Sequence, residues 1–260
     1  MALNKGQVQR NFNRAALTYD QYAGIQKETA AELMGMLTRS GRRYHRILEI
    51  GCGTGILTEL LAREFSRARI LVLDIAPEMV RAAQSKLKNY QGITYLVADG
   101  ENPQLAGQVS FDLIVSNMVF QWFTGYLQPF GLYYKALAEG GDFIFSTLGK
   151  GTFAELYSCL NLPEPFVDRK LLGEVLAQAG YQENQVKESV KLEYFVSSRE
   201  FLRALKKIGA HNYLDDGLSA SSAGQEIFTI INRYDERFRN ERGVPATYHC
   251  LFGSGHKGGA

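Results

Sequence analysis

Residues 46–148 alternate short apolar runs with stretches of helical spacing. This alternation indicates βαβ units, in which the parallel strands are apolar throughout because helices cover both faces of the sheet. The pattern predicts five strands, at residues 46–51, 69–76, 93–99, 111–117 and 141–148. Helical spacing from Ile56 and a proline at position 77 predict the helices between the first three strands. We therefore expect an open α/β sheet.

The chain is expected to form a single domain over residues 1–253, with residues 46–148 as its core. Two further strands are predicted at residues 185–196 and 246–253, where apolar and polar side chains alternate. They bring the expected sheet to seven strands, most of them parallel. The last residues, 254–260, are rich in glycine, and this composition predicts a flexible tail.

Helical segments are predicted on both sides of the core. Residues 1–45 form an expected N-terminal helical arm, in which one amphipathic helix carries Phe12, Ala15, Ala16, Tyr19 and Tyr22. Residues 197–242 form an expected helical insertion before the last strand. Its first helix opens with the capping-box spacing of Ser197 and Glu200, and a second helix is predicted from about 223 to 242.

Charge and cysteine usage exclude several classes of protein. The 29 Lys and Arg side chains exceed the 27 Asp and Glu by only two, too few for a protein that binds nucleic acid mainly by neutralising phosphates. The three cysteines are far apart, and the histidines are scattered, so neither a disulfide framework nor a metal site is expected. The start of the chain lacks the apolar core of a signal peptide, and no apolar run reaches the roughly 18 residues of a membrane span. We expect a cytoplasmic protein that binds no membrane.

A glycine-rich turn follows the first predicted strand. It reads Glu49-Ile-Gly-Cys-Gly-Thr-Gly55, and Ile56 stands where the dinucleotide-binding fingerprint needs its last glycine. Asp74 closes the second strand some twenty residues later, where a carboxylate can accept two ribose hydroxyl groups. Asp99 and Asn117 close the third and fourth strands. Carboxyl ends of parallel strands meet at one edge of a sheet, so these residues are expected to lie close together.

The turn and the strand ends resemble motif I and the following motifs of class I methyltransferases, which use S-adenosylmethionine. The resemblance implies a Rossmann-like methyltransferase sheet. That cofactor lacks phosphate and carries a sulfonium and an ammonium, which agrees with glycines for close approach and with acidic neighbours. The implied cofactor-binding residues are Glu49, Gly51, Cys52, Gly53, Asp74, Ile75, Met79, Asp99, Gly100, Glu101, Asn117 and Met118.

Longer strings carry a narrower resemblance, which extends from about residue 11 to residue 252. The segments NFNRAALTYDQYAGIQ, SNMVFQW, FSTLGKGTFAEL and LKKIGAHN are similar to those of malonyl-[acyl-carrier protein] O-methyltransferases of biotin synthesis. The resemblance implies methyl transfer from S-adenosylmethionine to the free carboxylate of a malonyl group carried on acyl carrier protein. A carboxylate is already ionised at neutral pH, so no general base is expected.

Further site residues are expected from this resemblance. Tyr19, Gln121 and Trp122 would enclose the methyl group, together with Tyr22 of the same N-terminal arm. A cation near the acceptor carboxylate would come from Arg14, Lys150, Arg199 or Arg203. Carrier proteins are acidic, and the basic residues of the first insertion helix are candidates for docking them: Arg199, Arg203, Lys206 and Lys207.

Two other functions stay open on the sequence. A methyltransferase acting on a small molecule such as a quinone precursor would share the sheet and motif I. A non-catalytic module that keeps the fold for binding a partner is disfavoured, because the acidic residues at positions 49, 74 and 99 are all present.

Overall fold

The computed structural model describes residues 4–105, 110–210 and 223–259, without the side chains of 223–228. The strands are β1 (Arg46–Ile50), β2 (Arg69–Asp74), β3 (Ile93–Val97), β4 (Phe111–Asn117), β5 (Leu137–Leu148), β6 (Gln182–Phe195) and β7 (Val244–His256). The helices are α1 (Lys5–Ala15), α2 (Tyr19–Tyr22), α3 (Gly24–Arg39), α4 (Ile56–Glu64), α5 (Pro77–Lys86), α6 (Leu127–Ala136), α7 (Ala154–Leu160), α8 (Arg169–Gln178), α9 (Ser198–Lys207) and α10 (Ala223–Phe238). None of the helices within these described ranges is both long and apolar enough to cross a bilayer.

The seven described strands form one sheet in the order β3-β2-β1-β4-β5-β7-β6. Neighbours from β3 to β5 pair in parallel, and β7 pairs antiparallel with both β5 and β6. The predicted α/β sheet of seven mostly parallel strands is therefore confirmed. The order in which successive strands are added reverses between the parallel neighbours β1 and β4, which places a crevice at their carboxyl ends. Ligands of open α/β sheets bind in such a crevice.

The central strands are held by burial on both faces. Ile47, Leu48 and Ile50 of β1 have no exposed surface, and neither do Leu113 and Ile114 of β4. Helix α3 and α4 cover one face, and α6 and α8 cover the other. This double cover explains why the strands are continuous apolar runs in the sequence.

The C-terminal residues differ from their prediction as a flexible tail. Strand β7 continues through residues 254–256, and His256 pairs with Asp142 of β5. The prediction from glycine content was wrong for these residues, because Gly253 and Gly255 leave space for neighbouring aromatic side chains within a regular strand. A Cβ on Gly253 would lie 2.1 Å from the ring of Phe145, and one on Gly255 would lie 2.7 Å from Tyr181.

The arm and the insertion also depart from prediction in detail. The single amphipathic helix expected through Tyr22 is broken, because α1 ends at Ala15 and α2 begins at Tyr19. The insertion helix α9 starts as predicted, with Ser197 Oγ accepting from the amide of Glu200 at 3.3 Å. The second insertion helix ends earlier than predicted, at residue 238, because a turn closed by backbone bonds between residues 240 and 243 leads into β7.

Candidate active site

The glycine-rich turn after β1 has a backbone that only glycine adopts easily. Gly51, Gly53 and Gly55 have φ angles of 71°, 52° and 85°. A Cβ on Gly51 would lie 2.2 Å from a methyl group of Val119, so this position has no space for a side chain. The amides of residues 51 and 52 donate to the carbonyl of Leu73 at 2.7 and 2.9 Å. The turn is therefore fixed to the end of β2.

Asp74, the last residue of β2, ties that strand to the turn. Its Oδ2 accepts from the amide of Gly53 at 2.9 Å, and its Oδ1 accepts from the amide of Ala76 at 2.8 Å. Burial raises the pKa of Asp74 to about 6, although these backbone hydrogen bonds lower it. A carboxylate oxygen can accept more than one hydrogen bond, so Asp74 keeps acceptor capacity for a ligand hydroxyl group.

Glu49 lies behind the turn and is almost completely buried, at 1% exposed. Its Oε2 has no hydrogen-bond partner within the described part of the chain. Burial, with a smaller contribution from the nearby charge of Asp74, raises the pKa of Glu49 to about 8. A buried carboxyl group of this kind gains from a cation bound close by, because the cation favours its ionised form.

A cavity of about 660 Å³, its mouth included, opens at the carboxyl ends of β1, β2 and β4. We call it the strand-end cavity. Predicted residues that line it are Gly51, Gly53, Asp74, Ile75, Met79, Asp99, Gly100, Asn117, Met118, Tyr19 and Trp122. Space for a Cβ is open at Gly53, so the backbone of the turn can approach a ligand closely. Its volume lies within the range of small-molecule sites.

Helix α1, part of the predicted N-terminal arm, forms the roof of the strand-end cavity. Lys5, Val8 and Phe12 line the cavity from this helix. The ammonium of Lys5 lies 2.5 Å from carboxylate oxygens of both Asp99 and Glu101. Two polar contacts also fasten the roof, from Gln9 Nε2 to the carbonyl of Ile75 at 2.7 Å and from the amide of Glu78 to Asn13 Oδ1 at 3.0 Å.

A second cavity of about 410 Å³, the side chamber, adjoins the first. Four residues line both: Phe12, Tyr19, Met118 and Trp122. The remaining lining comes from Gln26, Gln121, Leu148, Phe153, Leu205, Ile208, Ala210 and Tyr248. Among the described residues, no Lys, Arg, His, Asp or Glu lines this chamber. Burial raises the pKa of Tyr19 far above its usual value, so its hydroxyl group stays protonated.

The junction between the two cavities is held by hydrogen bonds around Met118. Met118 has a φ of 56°, a strained value for a side chain of this size. Gln121 Nε2 donates to the carbonyl of Met118 at 2.8 Å, and Gln121 Oε1 accepts from Thr147 at 3.0 Å. Asn117 Nδ2 donates to the carbonyl of Gln26 at 2.9 Å, which joins α3 to the end of β4.

Some predicted residues lie elsewhere. Glu49, Cys52 and Glu101 do not line the strand-end cavity. Glu101 instead accepts at 2.9 Å from the amides of Thr124 and Gly125, which orders the loop before α6. Tyr22 is 37% exposed and lines neither cavity.

The basic candidates for a contact with the acceptor carboxylate are also elsewhere. Arg14, Lys150, Arg199 and Arg203 are exposed, and none of them lines either cavity. Sequence reasoning missed Lys5, Phe12, Gln26, Phe153 and Tyr248, which come from four separate segments. Of these, only Phe12 had a signal, its place in the amphipathic pattern of the arm.

The strand-end cavity fits S-adenosylmethionine. Asp74 offers acceptors for ribose hydroxyl groups, and the glycine turn allows close approach. The unpartnered carboxyl group of Glu49 is buried behind that turn, outside the cavity wall, where its charge would favour a cation on the other side. The sheet order, the turn and the acidic strand ends together define a class I methyltransferase that depends on S-adenosylmethionine.

Comparisons with known proteins agree. Residues 47–141 match the family model described as a methyltransferase domain. A malonyl-[acyl-carrier protein] O-methyltransferase of Priestia megaterium is 34% identical, and the alignment covers 96% of each chain. One from Paenibacillus sp. is 36% identical over 95% of this chain and 97% of the relative. The chain belongs to the malonyl-[acyl-carrier protein] O-methyltransferase family.

A solved structure shows the same fold. It is the phosphoethanolamine N-methyltransferase 2 of Haemonchus contortus with phosphomonomethylethanolamine and S-adenosylhomocysteine bound. Its TM-score is 0.57 at 18% identity, and the match covers 88% of this chain and 52% of the neighbour.

Cofactor binding at pH 7 is expected to release a proton from Glu49. The raised pKa, about 8, means that this group is mostly protonated before a cation binds, and the cation favours its ionised form. Calorimetry of S-adenosylmethionine binding in buffers of different ionisation enthalpy measures the release. Glu49→Gln should lose most of it and bind the cofactor about tenfold more weakly, because the neutral amide cannot attract a cation.

The same variant has an expected effect on stability. The pKa of Glu49 is raised above the roughly 4.3 of an unfolded chain, so its contribution to stability is present below that pH and is lost as the pH rises through about 8. Ligand-free Glu49→Gln should therefore gain thermal stability over the native protein above pH 8. Equal proton release by the native protein and by Glu49→Gln on cofactor binding would contradict this role of Glu49.

Proposed function

We propose that the protein transfers a methyl group from S-adenosylmethionine to the free carboxylate of malonyl-[acyl-carrier protein], giving the methyl ester that enters pimelate and biotin synthesis. The observation that carries the proposal is the side chamber, which joins the strand-end cavity and has no ionisable acid, base or cation on its described wall apart from Tyr19 and Tyr248. An acceptor that needs deprotonation would require a base there. A carboxylate does not, because its pKa is near 4.

Bound S-adenosylmethionine supplies an electrophilic methyl group on a positively charged sulfur. The protein's part is to align the acceptor oxygen and to exclude water. Phe12 and Trp122 make an edge-to-face contact at 5.4 Å between ring centroids, at the boundary shared by the two cavities. Leu205 of α9 and Ile208, the residue after that helix, add apolar surface to the chamber. Where water is excluded, the opposite charges of carboxylate and sulfonium neutralise each other as the methyl group moves, which favours the transition state.

Neutral groups suit the acceptor better than a cation would. A Lys or Arg in the side chamber would repel the sulfonium and would stabilise the carboxylate before reaction. Tyr19 and Gln26, whose side chains carry a hydroxyl and an amide group, line the chamber, whereas the hydroxyl group of Tyr248 donates to Glu193 at 3.2 Å. Because the backbone carbonyl of Gln26 is bonded to Asn117, we propose Gln26 as the donor that orients the acceptor.

The assay for the proposed function uses the intact carrier. Incubation of the protein with S-adenosylmethionine and malonyl-carrier should add one methylene mass, about 14 Da, to the carrier in mass spectrometry, because methylation replaces one hydrogen by CH3. Acetyl-carrier, which lacks the free carboxylate, should gain nothing. Cofactor binding without any gain on malonyl-carrier would contradict the proposal and would favour a small acceptor such as a quinone precursor.

Replacing Gln26 by Glu should raise the KM for malonyl-carrier about tenfold, because a second carboxylate in the chamber repels the first. The Kd for S-adenosylhomocysteine should stay within about twofold of the native value, which also shows that the variant is folded. Gln21→Glu makes the same charge change at an exposed position of the arm and serves as the control. A native KM in Gln26→Glu would exclude this role for Gln26.

Carrier docking is proposed for the exposed face of α9. Its four basic residues are exposed, and none of them forms an ion pair with a carboxylate in the described ranges: Arg199, Arg203, Lys206 and Lys207. The opposite face of the same helix reaches the side chamber through Leu205. An acidic carrier bound on the outside would thus sit one helix away from the reacting groups.

Reversing Arg203 and Lys206 to Glu should lower kcat/KM for malonyl-carrier about tenfold at low salt, because attraction of an acidic carrier becomes repulsion. The defect should shrink at high salt, which screens exposed charges. The matched control reverses the exposed Lys88 and Lys187, which lie away from α9. Equal rates for both double variants would reject α9 as the docking helix.

We also propose that the reaction takes place in the cytoplasm. All three cysteines are buried and free, as expected for a reducing compartment.

A further inference from the structure

Leu17 is an exposed apolar side chain in an unusual place. It lies in the turn between α1 and α2 and is 99% exposed, whereas the next most exposed large apolar side chain of the described residues, Val196, is 75% exposed. The turn contributes to the site through its neighbours, because Phe12 and Tyr19 on either side line both cavities. Leu17 itself lines neither of them.

Two arginines accompany Leu17 on the outer face of the arm. Arg10 and Arg14 are exposed and lie four residues apart, on one side of α1, and the exposed Leu17 follows in the turn after that helix. The opposite side is buried through Val8 and Ala15. Helix α1 contains no acidic residue, and neither arginine pairs with a carboxylate of the described chain. We call these three residues the arm face.

The arm face continues into the basic end of α9. Thr18 Oγ1 donates to the carbonyl of Lys207 at 2.8 Å. Gly209, which follows α9, packs so closely that a Cβ there would lie 3.0 Å from the carbonyl oxygen of Asn11 in α1. The two helices therefore present one continuous basic surface with a single large apolar side chain near its centre.

We propose that the arm face docks the acidic carrier protein together with the C-terminal end of α9, and that Leu17 is its apolar contact. The inference rests on the proposed function. Charge complementarity selects this occupant, because an acidic protein surface is attracted to Arg10, Arg14 and the lysines at positions 206 and 207. A second copy of this chain would bring two positively charged faces together, which disfavours self-association here.

Docking on the arm couples the carrier to the cofactor. Helix α1 is also the roof of the strand-end cavity, held there by Lys5 on Asp99 and Glu101. Because α1 carries Arg10 and Arg14 on its exposed side and Phe12 on the wall of the strand-end cavity, a carrier bound to the arm face holds the roof in this position. By linkage, carrier binding then tightens that of the cofactor.

The test measures the Kd of fluorescently labelled malonyl-carrier for protein saturated with S-adenosylhomocysteine. Leu17→Asp and Arg14→Glu should each weaken carrier binding about tenfold. Val190→Asp is the matched control, because Val190 is a 62% exposed side chain on β6, away from the arm. All three proteins should bind S-adenosylhomocysteine with native affinity when no carrier is present, which shows that each is folded.

A second titration measures the coupling between carrier binding and cofactor binding. Malonyl-carrier at ten times its native Kd should tighten S-adenosylhomocysteine binding about fourfold in the native protein and less than twofold in Leu17→Asp, because the variant binds less of the carrier at that concentration. Unchanged carrier affinity in Leu17→Asp, or an equal loss in Val190→Asp, would overturn the docking surface.

Two further outcomes of these experiments would lead to different conclusions. If the native protein neither binds nor methylates malonyl-carrier, the proposed function fails together with this inference. Binding to anionic phosphatidylglycerol vesicles that Leu17→Asp abolishes, with carrier affinity unchanged, would instead assign the arm face to a membrane surface.

Discussion

The carboxylate of Asp74 is the interaction on which the site depends. It joins the glycine turn after β1 to the start of α5 by accepting the amides of Gly53 and Ala76. Loss of the carboxylate would leave two amides of a buried junction without partners, at a cost of about 1–3 kcal/mol for each. The same junction anchors the arm, because Gln9 donates to the carbonyl of Ile75. The glycine turn, the end of β2 and the roof formed by α1 are therefore positioned together.

The charge at this junction also has a consequence for exchange of the cofactor. Glu49 and Asp74 are both buried, and burial raises the pKa of each. In their ionised forms, which a bound cation favours, they attract a sulfonium and give nothing to the uncharged thioether that remains after methyl transfer. The site therefore favours the substrate form of the cofactor over its product form. The burial of these two carboxyl groups therefore lowers the stability of the ligand-free protein, and the same burial makes the bound protein prefer the sulfonium form of the cofactor.

The parallel sheet and the strand-end residues could be predicted from the sequence, because both follow from local patterns. Apolar runs of four to seven residues located β1 to β4, and the glycine turn with Asp74 located the strand-end cavity. The side chamber could not be predicted, because Gln26, Phe153 and Tyr248 meet there only through tertiary packing. Composition gave the wrong answer for residues 254–256, since glycine there serves the packing of Phe145 and Tyr181.

The position of β7 in the sheet has a consequence for folding. Strand β6 precedes β7 in the chain, but it joins the sheet only through β7, which lies between β5 and β6. During synthesis, β6 has no strand partner until the helical insertion and then β7 have been made. Its exposed Val190 and Leu192 then lie on an unpaired strand edge, a site at which unfinished chains aggregate. The last step of folding is thus the insertion of one strand between two others, and contacts of such long sequence separation form slowly.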